Sequence, residues 1–188
     1  SSKAHWDIPV IVDGARVHVL ASHPTPPVFD GPEDSNGRRN HDEIRFWSDY
    51  LTGNGSADYV YDDRGGRGGL RGERFVVLGD LNASPVEGDS RHAAINALLA
   101  HPALDTSVVP CSAGGAAARP GNPHAAAHTA SWGQRADYAL PSRAVHRGIT
   151  TSGNCPPRPL RRLPLFSSSS HDSGSSQSSA TCFPAYLF

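Results

Sequence analysis

The sequence is poor in several residue types. Its 188 residues include no methionine, one lysine (Lys3) and three cysteines (Cys111, Cys155 and Cys182). A sparse, odd set of cysteines without CxxC spacing supports neither a disulfide framework nor a zinc site. Without a methionine, Ser1 is not an untrimmed start, so we expect a processed product or a fragment of a longer chain.

Long apolar runs and a strong net charge are also missing. No stretch approaches the length of a membrane span, and no charged segment followed by an apolar one opens the chain. The compartment stays open, with a secreted or extracytoplasmic location as one alternative. The formal net charge of −1 excludes the overall basic field that nucleic-acid binding favours, although a local basic cleft stays open.

Glycine and proline, by contrast, are abundant. The chain has 19 glycines and 16 prolines, and 37% of its residues are apolar. This composition indicates a loop-rich domain that is large enough to bury a core, and it disfavours a helical bundle.

Two short apolar runs, at residues 8–12 and 17–21, flank Asp13-Gly14. They predict two strands joined by a tight turn. The second run leads into a segment with three prolines, which cannot continue a strand ladder. We therefore expect His23 where this strand opens into a loop.

Apolar residues recur at helical spacing from Ile44 onward. They predict a helix over about residues 40–52, with Asp42 and Glu43 in its first turn. The polar stretch at residues 30–43 predicts an ordered loop before the helix.

A continuous apolar run at residues 75–78 predicts a strand that is buried on both faces. Asp89 and Ser90 are expected to cap a helix that ends before Pro102. The remaining predictions are loops at residues 53–72 and 105–128, and short strands at residues 129–132 and 136–140.

The sequence changes character after about residue 143. This part is rich in proline and serine and follows neither the helical nor the strand period. It cannot bury enough apolar surface to offset the cost of ordering the chain. We predict that residues 143–188 are a low-complexity tail, disordered or loosely packed, which follows a domain of residues 1–142.

The segment Gly-Asp-Leu-Asn-Ala at residues 79–83 follows the predicted buried strand. Side chains at i and i+2 of an extended segment share a face, so Asp80 and Asn82 are expected to converge. The carboxylate can orient water or bind a hard cation, and the carboxamide can contact a phosphoryl oxygen. This pattern favours phosphoester hydrolysis. The alternative is an Asx-stabilised turn without a catalytic role.

This strand resembles the GDxN strand of the endonuclease/exonuclease/phosphatase superfamily, which includes deoxyribonuclease-like nucleases, sphingomyelinases and inositol phosphatases. Bacterial members also share the segments at residues 22–27 and 36–43, and the likeness spans about residues 1–142. The resemblance implies an α/β (or α+β) fold, a four-layer α/β/β/α sandwich of two mixed sheets with helices outside. In this chain the sandwich is expected to be the incomplete C-terminal part.

The resemblance also implies roles for four residues. Asp80 would position the attacking water and Asn82 would bind the transition-state oxygens, and both would be ligands of Mg²⁺ or Mn²⁺. His23 matches the histidine of an Asn-x-His strand end that contacts the scissile phosphate, although Ala21 replaces the asparagine. Asp137 matches an aspartate that orients a catalytic histidine. Its alternative role is to cap backbone amides at a strand end.

Three further residues are candidates for substrate binding. Arg135 belongs to the same Arg-x-Asp-Tyr motif as Asp137. Arg39 and His41 would contact a phosphate if the loop after His23 folded over the site. Alternatively, they belong to a solvated cluster of charges.

Two elements of the family are not found. The metal-binding Asn and Glu belong to the first half of the family's fold, and no Ser-Asp-His triplet follows Asp137. Ser170-His171-Asp172 has these letters in another order. Since Mg²⁺ prefers six oxygen ligands, we expect impaired activity in this chain.

The sequence therefore predicts a metal-dependent phosphoester hydrolase of the phosphodiesterase, nuclease or phosphatase class. One alternative is a non-catalytic remnant or a phosphate-binding module. Another is an interaction domain of the β-sandwich type, for which too few strands of period two are found. The phosphoester substrate stays open, since fold does not select among nucleic acid, phospholipid headgroup and sugar phosphate. No surface typical of a dedicated DNA-binding protein is indicated.

Overall fold

The structure is a computed structural model that describes residues 3–145. Four strands form a mixed sheet in which neighbours in sequence are also neighbours in space. The first pair is antiparallel, the second parallel and the third antiparallel. The strands are β1 (His5–Val12), β2 (Ala15–Ser22), β3 (Phe75–Asp80) and β4 (Asp137–Pro141).

The turn between β1 and β2 confirms the predicted hairpin. Val12 pairs with Ala15, which leaves the two-residue loop Asp13-Gly14. Both loop residues have positive φ, 49° and 77°, as a type I′ turn requires. The strands predicted at residues 75–78 and 136–140 are confirmed as well. Residues 75–78 are fully buried on one face only, however, because Val76 and Leu78 are half-buried.

The first helix, α1 (Ser35–Thr52), begins earlier than the sequence predicts. The prediction of a loop at residues 30–43 is therefore wrong for the second half of that stretch. The carboxylate of Asp30 accepts from the backbone N–H groups of Asn36 and Gly37, at 2.6 and 2.9 Å, and so satisfies the helix start from outside the helix. Asp42 and Glu43 consequently lie within the helix and not in its first turn.

The second helix, α2 (His92–Leu99), confirms the helix predicted before Pro102. Its N-cap is Arg91, and no side chain provides a cap hydrogen bond, so the predicted cap at Asp89 and Ser90 is wrong. The predicted loop at residues 105–128 contains two short helical segments, α3 (Ala113–Ala118) and the 3₁₀ turn Ala125–Ala127.

The strand predicted at residues 129–132 is a turn instead. The backbone N–H groups of Thr129 and Ala130 both donate to the carbonyl oxygen of Gln134, at 3.1 Å. Gly133, with φ of 94°, reverses the chain between them. The side chain of Trp132 is 57% exposed, so this segment does not join the core.

The core lies on one face of the sheet, where α1 and α2 pack. It joins residues of β2, β3 and β4 to the apolar faces of both helices; its largest members include Leu20, Phe75, Val77, Leu140, Ile44, Trp47, Ile95 and Leu98. The indole N–H of Trp47 donates to Ser22 Oγ at 2.8 Å, which ties α1 to the end of β2.

The opposite face of the sheet is also apolar, but it is only partly buried. Strand alternation and register place Trp6, Ile8, Val19, Val76 and Leu78 on this face. Ile8 is 38% exposed, and the other four are half-buried. Residues 3–145 thus form a mixed α/β fold with a four-stranded sheet, in agreement with the predicted incomplete sandwich.

No helix within residues 3–145 is long and apolar enough to cross a membrane. The tail predicted for residues 143–188 lies outside the described residues except for its first three positions, and Ser170-His171-Asp172 lies wholly outside them.

A side chain at Gly79 is expected to destabilise the fold, because this residue lies where β3 runs against β2. An added Cβ would overlap the carbonyl oxygen of Ser22, and the φ of 153° favours glycine. We expect Gly79→Ala to lower the free energy of unfolding by more than about 2 kcal/mol, measured by urea denaturation.

Gly14→Ala is the matched control for this prediction. Gly14 also has positive φ, 77°, but an added Cβ would meet nothing within 4 Å. Its substitution should therefore carry only the backbone cost of about 1 kcal/mol. Equal losses in the two variants would contradict the proposed contact.

Candidate functional site

Three strand ends meet at one edge of the sheet. Since β2 and β3 are parallel, their C-terminal ends lie side by side, and the antiparallel β4 starts at the same edge. His23 follows β2, Asp80 ends β3, and Asp137 begins β4 directly opposite Asp80. Asn82 follows β3 by two residues. We call His23, Asp80, Asn82 and Asp137 the strand-end site.

The carboxylate of Asp80 has two different environments. Its Oδ1 accepts from the backbone N–H of Asn82 at 2.9 Å, which closes an Asx turn. Its Oδ2 lies 3.7 Å from Nε2 of His23, beyond hydrogen-bond distance but within reach of a charge interaction. The His23 side chain is 62% exposed, so Oδ2 and the imidazole face an accessible edge.

Asn82 meets this carboxylate through a turn and not through an extended strand. Its φ is 50°, in the left-handed region, so the expectation that residues 80 and 82 share the face of a strand is wrong. The Nδ2 of Asn82 donates to the carbonyl oxygen of Pro24 at 3.0 Å, which fixes the amide orientation. The side chain thereby links the loop after β3 to the loop after β2.

Asp137 is positioned by its backbone. Its N–H and that of Ala136 both donate to Thr129 Oγ1, each at 3.0 Å. Thr129 therefore caps the start of β4, whereas Asp137 was the residue considered for such a capping role. Asp137 is exposed, and no hydrogen bond or ion pair to its carboxylate is found within residues 3–145.

Arg135 lies beside the site and covers Tyr138. Its guanidinium carbon is 4.4 Å from the ring centroid, a cation–π distance. The Tyr138 hydroxyl donates to the carbonyl oxygen of Ala83 at 2.8 Å. Burial holds the pKa of Tyr138 above its usual range, so the phenol stays protonated as this donor. Substrate binding by Arg135 stays a prediction.

Arg39 and His41 lie on α1, so they are not part of the loop after His23 that was expected to carry them over the site. Their contacts are local: Arg39 Nη1 donates to Asn36 Oδ1 at 3.5 Å, and His41 Nδ1 lies 3.1 Å from Asp42 Oδ1. Neither has a hydrogen bond or an ion pair with the strand-end site among the described residues. Their role in substrate binding stays a prediction.

Two buried polar residues of α1 were missed by the sequence analysis. Asn40 is fully buried, and its Nδ2 donates to the carbonyl oxygens of Thr25 and Leu81, at 2.9 and 3.0 Å. Glu43 is 2% exposed and accepts from the backbone N–H of Thr25 at 2.6 Å. The helical spacing of residues 40, 43 and 47 could have shown that all three face the core.

His5 lies behind the site as a buried neutral histidine. Its Nε2 donates to the carbonyl oxygen of Glu43 at 2.8 Å. Burial lowers its pKa to about 4, although the hydrogen bond to Glu43 and the charge of that residue act in the opposite direction. The neutral ring packs against Phe46 with 4.3 Å between the ring centroids.

The sequence matches a known protein family. The sequence profile of the Endonuclease/Exonuclease/phosphatase family matches residues 4–171. The chain belongs to this family. It is a family of phosphoester hydrolases, so the resemblance drawn from residues 79–83 is confirmed. The match continues past residue 142, and the domain boundary there stays a prediction.

Two solved structures are similar to this member of the Endonuclease/Exonuclease/phosphatase family. Sphingomyelinase C from Streptomyces griseocarneus is 16% identical, with a TM-score of 0.40, over 73% of this chain and 41% of that one. A beta-hairpin deletion mutant of beta toxin from Staphylococcus aureus is 10% identical, with a TM-score of 0.40, over 92% and 54%. The chain thus spans about half the length of these structures. No curated protein matches it.

The two hydrogen bonds of Asn40 are expected to contribute to the stability of the fold. Asn40→Asp would remove both donated hydrogen bonds and place a carboxylate against two carbonyl oxygens. We expect a loss of about 3 kcal/mol in the free energy of unfolding. The control is Asn96→Asp, since Asn96 is exposed and donates one hydrogen bond to Pro85. A loss no greater than that of the control would contradict the role assigned to Asn40.

The buried His5 is expected to make the stability of the fold depend on pH. Its pKa is about 4 in the folded chain, against 6.5 for an unperturbed histidine, so between these values the unfolded chain binds more protons. Stability should therefore fall as the pH drops from 6.5 to 4, by up to about 1.4 kcal/mol per pH unit. Urea titrations across this range measure the slope.

His5→Gln separates this titration from packing. Glutamine can keep the donated hydrogen bond to Glu43 but does not titrate, so we expect a smaller slope in this variant. Asn96→Gln is the control, because it introduces the same side chain at an exposed position without removing a titratable group, so the slope should stay unchanged. An unchanged slope in His5→Gln would show that other groups cause it.

Proposed function

We propose that this chain carries part of the reaction centre of a metal-dependent phosphoester hydrolase, and that the strand-end site is that centre. Family membership supports the reaction class. The observation that carries the proposal is the meeting of His23 and Asp80 at 3.7 Å on adjacent strand ends, with Asp137 opposite Asp80. Phosphoester hydrolysis needs such convergent groups, because charge builds up on several oxygens at once.

Each residue has a role that its contacts permit. Asp80 Oδ2, which is not used by the turn, orients the attacking water. Asn82 has a second amide hydrogen beyond the one bound to Pro24, and it donates to a transition-state oxygen. His23 acts at the phosphate from the exposed side. Asp137 takes the role of orienting a catalytic histidine, a partner that residues 3–145 do not place against its carboxylate.

The donor set fits part of a shell around Mg²⁺ or Mn²⁺. Asp80 Oδ2 and Asn82 Oδ1 are the hard oxygen donors that such ions prefer. Within residues 3–145, no group of three or more His, Cys, Asp or Glu residues is arranged to hold a metal ion. A bound cation would neutralise charge on the phosphoryl oxygens. We propose that this partial shell makes the chain a weak catalyst by itself.

A second candidate function is a phosphate-binding module without catalysis. It is favoured by one observation: Asp80 and Asn82 each have a structural partner, in the Asx turn and at Pro24 respectively. A turn that only stabilises the loop would contain the same two hydrogen bonds. Such a module would bind the same class of molecule, a phosphoester of unspecified type. The test must therefore measure turnover as well as binding.

The decisive variant is Asp80→Asn, measured by hydrolysis of bis(p-nitrophenyl) phosphate with Mg²⁺. The amide can keep the Asx turn but loses the charge that orients water. We expect a loss of about 100-fold or more in kcat/KM. Excess chelator should reduce the wild-type rate to the same level.

Asp89→Asn is the matched control, since Asp89 is exposed, lies close in sequence, and has no hydrogen bond or ion pair with the strand-end site among the described residues. It should retain the wild-type rate. Turnover that survives in Asp80→Asn would end the proposal. If the wild type binds phosphate but shows no turnover, the phosphate-binding module is the better description.

A further inference from the structure

Two loops that carry the strand-end site are joined by one carboxylate. Glu87 lies in the loop after Asn82, and Asn122 and His128 lie in the segment before β4. Glu87 Oε1 accepts from Asn122 Nδ2 at 2.8 Å, and Glu87 Oε2 lies 2.9 Å from His128 Nε2. We call these three residues the Glu87 clamp.

The clamp is largely buried and charged. The exposed fractions of the side chains are 18% for Glu87 and 6% for His128. Burial raises the pKa of Glu87, but the hydrogen bonds from Asn122 and His128, with the charges of His128 and His124, outweigh it and hold the pKa below its usual range. Glu87 is therefore ionised at neutral pH, and it accepts its hydrogen bonds as a charged group.

The clamp is connected to both acidic residues of the site. On one side, His128 precedes Thr129, whose hydroxyl fixes the backbone of Ala136 and Asp137. On the other side, the N–H of Glu87 donates to Ser84 Oγ at 3.2 Å, four residues after Asp80. Movement of one loop against the other would therefore act on the start of β4, where Asp137 pairs with Asp80.

We propose that Glu87 is a positioning residue, which fixes the loop before β4 against the loop after β3 and so holds Asp137 opposite Asp80. This inference rests on the proposed function for its consequence in catalysis. The contact itself does not depend on that function. It operates while Glu87 is ionised and is lost as the pH falls through the depressed pKa.

The test is Glu87→Gln, which has the same shape but no charge and places an amide N–H against His128. Amide hydrogen exchange, followed by NMR, reports on the backbone N–H groups of Ala136 and Asp137. We expect about tenfold faster exchange at both, because a hydrogen bond to a charged partner is lost. Glu73→Gln is the matched control, since Glu73 is exposed and lies at the far end of β3.

A pH series separates positioning from a general loss of structure. In the wild type, protection of the two amides should decline as the pH falls through the depressed pKa of Glu87. In Glu87→Gln it should start low, so its difference from the wild type should narrow over the same range, whatever loss both proteins share through protonation of His5. His128→Leu removes the contact from the other side and should give the same exchange, with no additional effect in the double variant.

Activity provides an independent readout. If the wild type hydrolyses the phosphodiester, Glu87→Gln should lower kcat and leave KM nearly unchanged, because the group that is displaced acts in the transition state. If the wild type shows no turnover, the proposed function fails while the exchange data still decide the clamp. Wild-type exchange rates at Ala136 and Asp137 in Glu87→Gln would overturn the inference.

Discussion

The close approach of β2 and β3 at Gly79 is the constraint on which the candidate site depends. A residue without a side chain lets β3 run against the carbonyl oxygen of Ser22. The parallel register then keeps the two strand ends level, so the next residues along each strand are His23 and Asp80. Backbone packing therefore places the two residues side by side, and their side chains approach to 3.7 Å. A bulkier residue between the strands would spread the two functional side chains apart.

Two buried polar residues of α1 support this arrangement from within the core. Asn40 and Glu43 are buried, and they bind the backbone of the loops that follow β2 and β3. The left-handed conformation of Asn82 lies within one of these loops. The loop conformations are thus specified by helix packing as much as by their own sequences, which explains how short polar segments stay ordered at an exposed sheet edge.

Local signals allowed the hairpin, β3, α2 and the acidic motif to be predicted from the sequence, since each depends on neighbours within a few residues. The start of α1 could not be predicted, because its first amides are satisfied by Asp30, which precedes the helix. That error left Asn40 at a helix boundary and hid its role. Thr129 was assigned to a strand by its composition, whereas the chain reverses at Gly133. Ser170-His171-Asp172 lies beyond the described residues.

The Asx turn at Asp80 has a consequence for ion selectivity. One carboxylate oxygen already accepts from the backbone N–H of Asn82, which leaves Oδ2 as the oxygen without that contact. A cation bound by Oδ2 alone would meet a monodentate carboxylate. Small ions with strict octahedral geometry accept such a ligand, whereas Ca²⁺ commonly takes both oxygens of an acidic side chain. If the proposed cation binds at Oδ2, the turn that orders the loop would therefore also favour the smaller ion.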